Sequence, residues 1–115
     1  MISFEKIPNI YLAREIADLR KGIDGYCALV VEAGMDPYSS DLYLFTNRHH
    51  NKLKGIIFDE TSMWMIYRRL DKGTFQWKLK GDDLVLVSQK QFAWLLQGLS
   101  IYQKRAFQEE KPDFF

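Results

Sequence analysis

Three observations in this 115-residue chain predict an α+β fold: a mainly antiparallel sheet of about five or six strands with two principal helices packed on one side. From Leu42 to Trp77, short runs alternate apolar with basic residues at the period of two that belongs to strands, and turn residues separate them. One segment before this stretch and one after it repeat apolar residues at helical spacing. The first ends at a glycine and the second begins at a serine placed to cap it.

In chain order, Ile7 to Ala13 reads as a short strand entered through Pro8, which favours a sheet edge. Ile10 to Leu12, at such an edge, would be open to pairing between chains. Asp18 to Ala33 reads as a helix with Asp18 as N-cap, Leu19, Ile23, Cys27 and Val30 on one face, and Gly34 as its stop. Gly22 and Gly25 cost its early turns about 1 kcal/mol each relative to alanine. Either close packing on the sheet or a regular helix that begins only near Gly25 would account for them. Leu42–Asn47, Leu53–Phe58 and Met63–Leu70 read as strands, with turns at 48–51 and 59–62. Asp71-Lys72-Gly73 reads as a three-residue hairpin loop that returns the chain as a further strand, Thr74–Leu79. Leu84–Val87 is a short strand or an extended lead-in. Ser88 and Gln91 then form a capping box for a helix with Phe92, Leu95, Leu96 and Leu99 on one face and Gly98 near its end. The tail from Tyr102 to Phe115 is expected to extend that helix before becoming disordered.

The length corresponds to one domain, 1–115, with a single modest core. No apolar run approaches the roughly 20 residues that span a bilayer, and the first residues carry no secretory pattern. With Cys27 the one cysteine, the expected setting is the reducing cytoplasm.

The residues argue against an enzyme. His49 and His50 are adjacent in a loop with no cluster to complete a metal site. Cys27 falls on the apolar helix face, where a thiol is inert. Asp59 and Glu60 are explained by a solvated turn. No triad spacing and no glycine-rich phosphate loop is present, so no catalytic residue, metal or cofactor is expected.

Charge is distributed unevenly. The net charge of +1 conceals eight Lys/Arg against three acids between Thr46 and Lys80, a local excess of about +5. Arg48, Lys52 and Lys54 surround one loop, Arg68, Arg69 and Lys72 approach the next, and Lys78 and Lys80 follow. Along the third of the central strands, Trp64, Ile66 and Arg68 share a face opposite Met63, Met65 and Tyr67. Such a sheet either meets the phosphates of a nucleic acid or uses its lysines as a solvated edge that resists aggregation. Trp64, Phe75, Trp77 and Trp94 read as core before they read as stacking platforms.

Several stretches together resemble a known family. Asp18-Leu19-Arg20-Lys21-Gly22-Ile23-Asp24-Gly25 resembles the Asp-Met-Arg-Lys-(small)-(apolar)-Asp-Gly signature of the TnpB accessory proteins. These are encoded beside the transposase in bacterial insertion sequences of family sixty-six. Leu44-Phe45 with Asn47-Arg48, Lys54 with Phe58-Asp59, and Arg68-Arg69-Leu70 with Lys72-Gly73, Phe75 and Trp77 are similar to its further blocks in order and spacing. Phe92 to Gly98 resembles its closing Leu-x-Trp-Leu-Leu-x-Gly. The chain departs from the pattern at Glu60-Thr61-Ser62, where the family often has glycine, and at Lys78, where it usually has proline. It also has His49 and His50 in place of two bases, which lowers the charge of that loop at neutral pH.

The resemblance implies a non-catalytic accessory protein of DNA transposition whose partner is the transposase of the same element. With the charge pattern, it makes Arg20, Lys21, Arg48, Lys52, Lys54, Arg68, Arg69 and Lys72 the candidate nucleic-acid contacts. The alternative is a module that binds the transposase through its aromatic surface without touching DNA. No membrane contact is expected, and self-association is left open.

Overall fold

The computed structural model describes residues 3–103. Strands β1 (Ile10–Ala13), β2 (Leu42–Thr46), β3 (Lys52–Asp59), β4 (Ser62–Arg69) and β5 (Leu84–Val87) form one sheet in the order β4-β3-β2-β1-β5. Two α-helices, α1 (Ile23–Glu32) and α2 (Gln89–Leu96), flank it, and a single 3-10 turn at Phe4–Lys6 precedes it. The expected α+β class is therefore present, with one parallel pair, β1 with β2, in an otherwise antiparallel sheet. Parallel neighbours need a long crossover. Residues 14–41, which contain α1, provide it.

Alternation along the strands divides the core into two layers. Ile10, Leu12, Leu42, Leu44, Leu53, Ile57 and Val87 face one side, where Phe92 and Leu95 of α2 pack with Phe75, Trp77 and Ile101. Ala13, Tyr43, Phe45 and Ile56 face the other, where Tyr26 and Val30 of α1 cover them. The helices thus lie on opposite faces rather than on one side. The reason is legible in β2, whose five residues are all buried. A strand apolar on both faces needs a cover on each.

The predicted edge position of Ile10–Leu12 is corrected too. β1 lies between β2 and β5, so it has no free edge to offer another chain. Pro8 stands two residues before the strand and leaves its ladder intact.

In the crossover, α1 begins at Ile23 with Gly22 as N-cap, which bears out the late start rather than a cap at Asp18. The Asp18 carboxylate instead accepts the Arg20 amide and guanidinium. Gly34 ends the helix region at φ +84°. A Cβ on Gly25 would meet the Lys21 side chain at 3.1 Å, not the sheet.

The predicted strand Thr74–Leu79 does not form. The hairpin loop has its positive-φ glycine, Gly73 at +78°, but it sends the chain across the α2 face instead of back along β4. Phe75 and Trp77 alternate inward just as strand residues would, into the layer beneath β1, β2 and β3. Their polar groups bond elsewhere: the Phe75 amide donates to the His50 carbonyl (2.6 Å), and the Trp77 indole donates to the Ala13 carbonyl (2.7 Å). Leu84–Val87 is a true strand, antiparallel to β1.

Helix α2 carries the expected capping box. The Gln91 amide donates to Ser88 Oγ, and the Ser88 amide donates to Gln91 Oε1. It ends at Leu96 with Gly98 at φ +80°, so Leu99 lies beyond the helix and is exposed. The part of the expected tail from residue 104 onward lies outside the described residues.

Two substitutions test this packing. Trp77→Phe keeps most of the apolar area but removes the indole donor from the Ala13 carbonyl, and should lower the unfolding free energy in urea by about 1–3 kcal/mol. Gly55→Ala puts a Cβ 2.5 Å from Leu44 Cδ2 and 3.0 Å from the Tyr43 carbonyl oxygen. The same titration should show a loss of about 1–3 kcal/mol through overpacking.

Candidate functional site

The register of β3 against β4 sorts the basic residues by face. Lys52 lies opposite Arg69 and Lys54 opposite Tyr67, all on the side covered by α1. Arg68 lies opposite Leu53 on the α2 side, with Ile66 and Trp64. The adjacent arginines therefore point to opposite sides of the sheet.

Lys54 joins this face to the crossover. Its Nζ donates to the Leu19 carbonyl at 2.6 Å and sits 5.7 Å from the centre of the Tyr67 ring. The bond holds the turn that carries Arg20 and Lys21 beside β3. The Tyr26 hydroxyl secures the same turn from α1 by donating to the Asp18 carbonyl at 3.2 Å. Burial, and then the Asp18 charge, push that phenol up to about 12, so it remains a donor at neutral pH. Lys52, Lys54 and Arg69 thus share one face with the half-exposed Tyr67, and the Lys54 bond ties the turn that bears Arg20 to it, whereas Lys21 lines a cavity with Glu15, Asp18, Glu32 and Asp83 toward β1 and β5.

The remaining candidates sit at the rim or away from it. Arg48 is exposed in the turn between β2 and β3. Asn47 builds that turn, its side-chain oxygen accepting the Asn51 and Lys52 amides and its nitrogen donating to Asn51. His50 has φ +55°, and its carbonyl takes the Phe75 amide, so the second histidine serves the backbone path. Lys72 is exposed in the loop after β4, and Arg69 forms a loose 3.7 Å ion pair with Asp71.

Arg20 is 92% exposed and is held bidentately by Asp18, with N–H···O distances of 3.0 and 2.9 Å. This partner and Tyr67 are the members of the site that the sequence did not single out. Asp18 reads as a helix cap there, and the place of Tyr67 beside Lys54 depends on strand register. Of the four aromatics weighed, Phe75 and Trp77 are core, Trp94 is half-buried and Trp64 is 44% exposed.

Other chemistry is sparse. Among the described residues no group of three or more His, Cys, Asp or Glu is placed to hold a metal ion. Burial and then the Asp24 charge raise the Cys27 thiol pKa, which disfavours the reactive thiolate. Asp59 ends β3 opposite Ser62, and Glu60 opens the β3–β4 turn at φ +50°. No helix among the described residues is long and apolar enough to cross a membrane.

The molecule is thus an α+β protein with Lys52, Lys54, Arg69 and Tyr67 together on one face of its sheet. Its sequence from residue 8 to residue 106 matches the family described as IS66 Orf2-like proteins, and the chain belongs to that family. Membership gives it an accessory role in insertion-sequence transposition. Two uncharacterized proteins of Sinorhizobium fredii are similar. The one called y4jC is 31% identical over 92 residues, covering 79% of each chain. The other, y4hO, is 28% identical over 92 residues, covering 79% of this chain and 80% of its own length. No solved structure matches.

The Asp18–Arg20 pair has a pH signature. Hydrogen bonds from Arg20, aided by its charge, lower the Asp18 pKa from 3.8 to about 2. A depressed carboxyl favours the folded state above its unfolded pKa, and that contribution is lost as pH falls through about 2. An NMR titration of the Asp18 carboxyl should have its midpoint near 2, and Arg20→Gln should return it toward 3.8.

Proposed function

We propose that the chain binds DNA, at the element ends or within the transposase–DNA complex, through the α1 side of its sheet. The observation that carries this reading is that Lys52, Lys54 and Arg69 share one face with the half-exposed Tyr67, with the Arg20 turn tied to that face by Lys54 and Arg48 exposed in the β2–β3 turn. Arginine and lysine neutralise phosphates and release counterions, which makes the grip strong at low salt and weak at high salt. An aromatic ring among them offers a stacking or sugar contact. The contacts are with the backbone for the most part, and the transposase supplies the catalytic chemistry.

Arg68 lies on the other face and contributes long-range charge rather than contact. The second reading, a module that docks on the transposase without DNA, draws on the exposed Trp64 and Tyr67. Aromatic side chains of this kind anchor protein interfaces. Co-purification with the transposase after nuclease treatment separates the two.

Mobility shift with terminal-repeat DNA across a salt series tests the first. The wild-type chain should shift DNA at low salt, and Lys52→Glu with Arg69→Glu should weaken binding by about tenfold or more and reduce the salt slope by roughly 2. Arg68→Glu should change affinity by no more than about threefold, because screening weakens a charge held away from the contact. Absence of any shift at low salt, or an equal loss from both faces, rejects this reading.

A further inference from the structure

The hairpin partner that the sequence predicts for β4 crosses the α2 face instead, and this leaves β4 as the edge of the sheet. Its free backbone groups can be identified. The Leu70 amide donates to the Asn51 carbonyl (2.8 Å), one step beyond the Lys52–Arg69 pair. Antiparallel pairs alternate between those that exchange backbone bonds and those that do not. Ser62, Trp64, Ile66 and Arg68 therefore bond to β3, while the N–H and C=O groups of Met63, Met65, Tyr67 and Arg69 point outward. No backbone hydrogen bond among the described residues reaches them.

An unpaired edge is a template for another strand, and proteins usually blunt it with proline, a bulge, inward charges or a short length. β4 has eight residues, no proline, an uninterrupted register and charges only at its C-terminal end. Trp64, Met65 and Tyr67 along it are 40–53% exposed. The other edge strand, β5, has only four residues.

We propose that this edge pairs with β4 of a second copy, antiparallel about a twofold axis at Ile66. The strand's charge pattern selects that arrangement. Its leading turn is acidic, Asp59-Glu60, and its trailing end is basic, Arg68 and Arg69 followed by Lys72. Parallel pairing sets like charges side by side, whereas antiparallel pairing brings each acidic turn to the other copy's basic end. A twofold axis normal to the sheet keeps each face on its own side, so residues of equal parity must oppose one another. Centring on Ile66 overlaps the whole strand. It sets Met65 against Tyr67 of the second copy and Trp64 against Arg68 of the second copy, pairs with favourable sulfur–aromatic and cation–π character. It also matches outward residues only with outward residues, so every free backbone group from Met63 to Arg69 finds a partner.

This inference does not depend on the DNA reading, and sedimentation of the full chain without DNA tests it alone. The expected species over a concentration series has twice the 13.6 kDa mass of the chain. Met65→Pro deletes an outward N–H without breaking a β3 bond, and should weaken self-association by about tenfold or more while circular dichroism stays unchanged. In a Cys27→Ala background, Ile66→Cys should give a disulfide-linked dimer on mild oxidation. Non-bonded antiparallel pairs have Cα atoms about 4.5 Å apart, within disulfide reach. Met63→Cys, roughly 20 Å from its counterpart in this register, should not cross-link. A wild-type monomer, or a dimer indifferent to Met65→Pro, overturns the proposal. So does a monomer that dimerises only when residues 104–115 are removed, which assigns the edge to the chain's own end. A monomer whose Met65→Pro variant loses the transposase in co-purification also overturns it and assigns the edge to that partner.

Discussion

The structure depends on a two-sided constraint at its centre. Leu42-Tyr43-Leu44-Phe45-Thr46 is buried along its whole length, so β2 must have a neighbouring strand on each edge and an apolar layer on each face. A chain with one domain's worth of residues has few ways to meet all four demands. β3 follows β2 through the Asn47-built turn and closes one edge. β1 closes the other, and the crossover that its parallel direction requires supplies α1 as the cover for Tyr43 and Phe45. The opposite face, with Leu42 and Leu44, then has to be covered from the C-terminal third. Phe75, Trp77 and α2 do so together, because two turns of helix are too short to cover it alone.

That solution determines what the surface can offer. Thr74–Leu79 is needed beneath the sheet, so it cannot also be the next strand, and the outer row of β4 stays free. The same economy shapes the cationic face. Lys54 is a charged residue in the interior of a strand, half-buried, and its ammonium has a backbone carbonyl of the crossover as partner. A cation in that position both fixes the Arg20–Lys21 turn and adds its own charge to the surface the turn completes. Asp18 works against that charge locally, because its carboxylate already takes the Nε and Nη2 donors of Arg20.

Much of the fold was legible in the residues, for identifiable reasons. The period of two located β2, β3 and β4 to within one or two residues, and the Ser88–Gln91 box located the start of α2, because each signal has a single local cause. Phe75 and Trp77 misled because inward alternation is common to a strand and to any extended segment lying on a core. The difference lies in where the amides bond, and those partners, His50 and Ala13, are remote in sequence. The unbroken apolar run of β2 did carry the two-faced architecture, but a helix count alone does not say on which side each helix lies. For the candidate site, alternation placed Arg68 on the Trp64 face correctly. The convergence of Lys52 with Arg69, and of Lys54 with Leu19 and Tyr67, required register and a side chain-to-backbone bond across 35 residues, which no local pattern encodes.

Symmetry connects the free edge to the cationic face. A twofold axis normal to the sheet turns one copy into the other without inverting it, so the α1 sides of both copies would face the same way. Arg69 lies three residues from the axis, which puts the two Arg69 Cα atoms roughly 20 Å apart along the joined strands at the usual rise per residue. Lys52, opposite Arg69, marks the same end of each sheet, and the Lys54 link carries the Arg20 turn with it. On the two proposals together, two separated cationic ends on a single continuous face would engage one polyanion at two places. The second contact is then intramolecular, so its affinity rises with effective concentration rather than with any new side chain. On the proposed DNA reading, a chain with a net charge of only +1 would gain affinity in this way from the acid-poor stretch between Thr46 and Lys80, with Asp18 the acid that the Arg20 turn adds beside it.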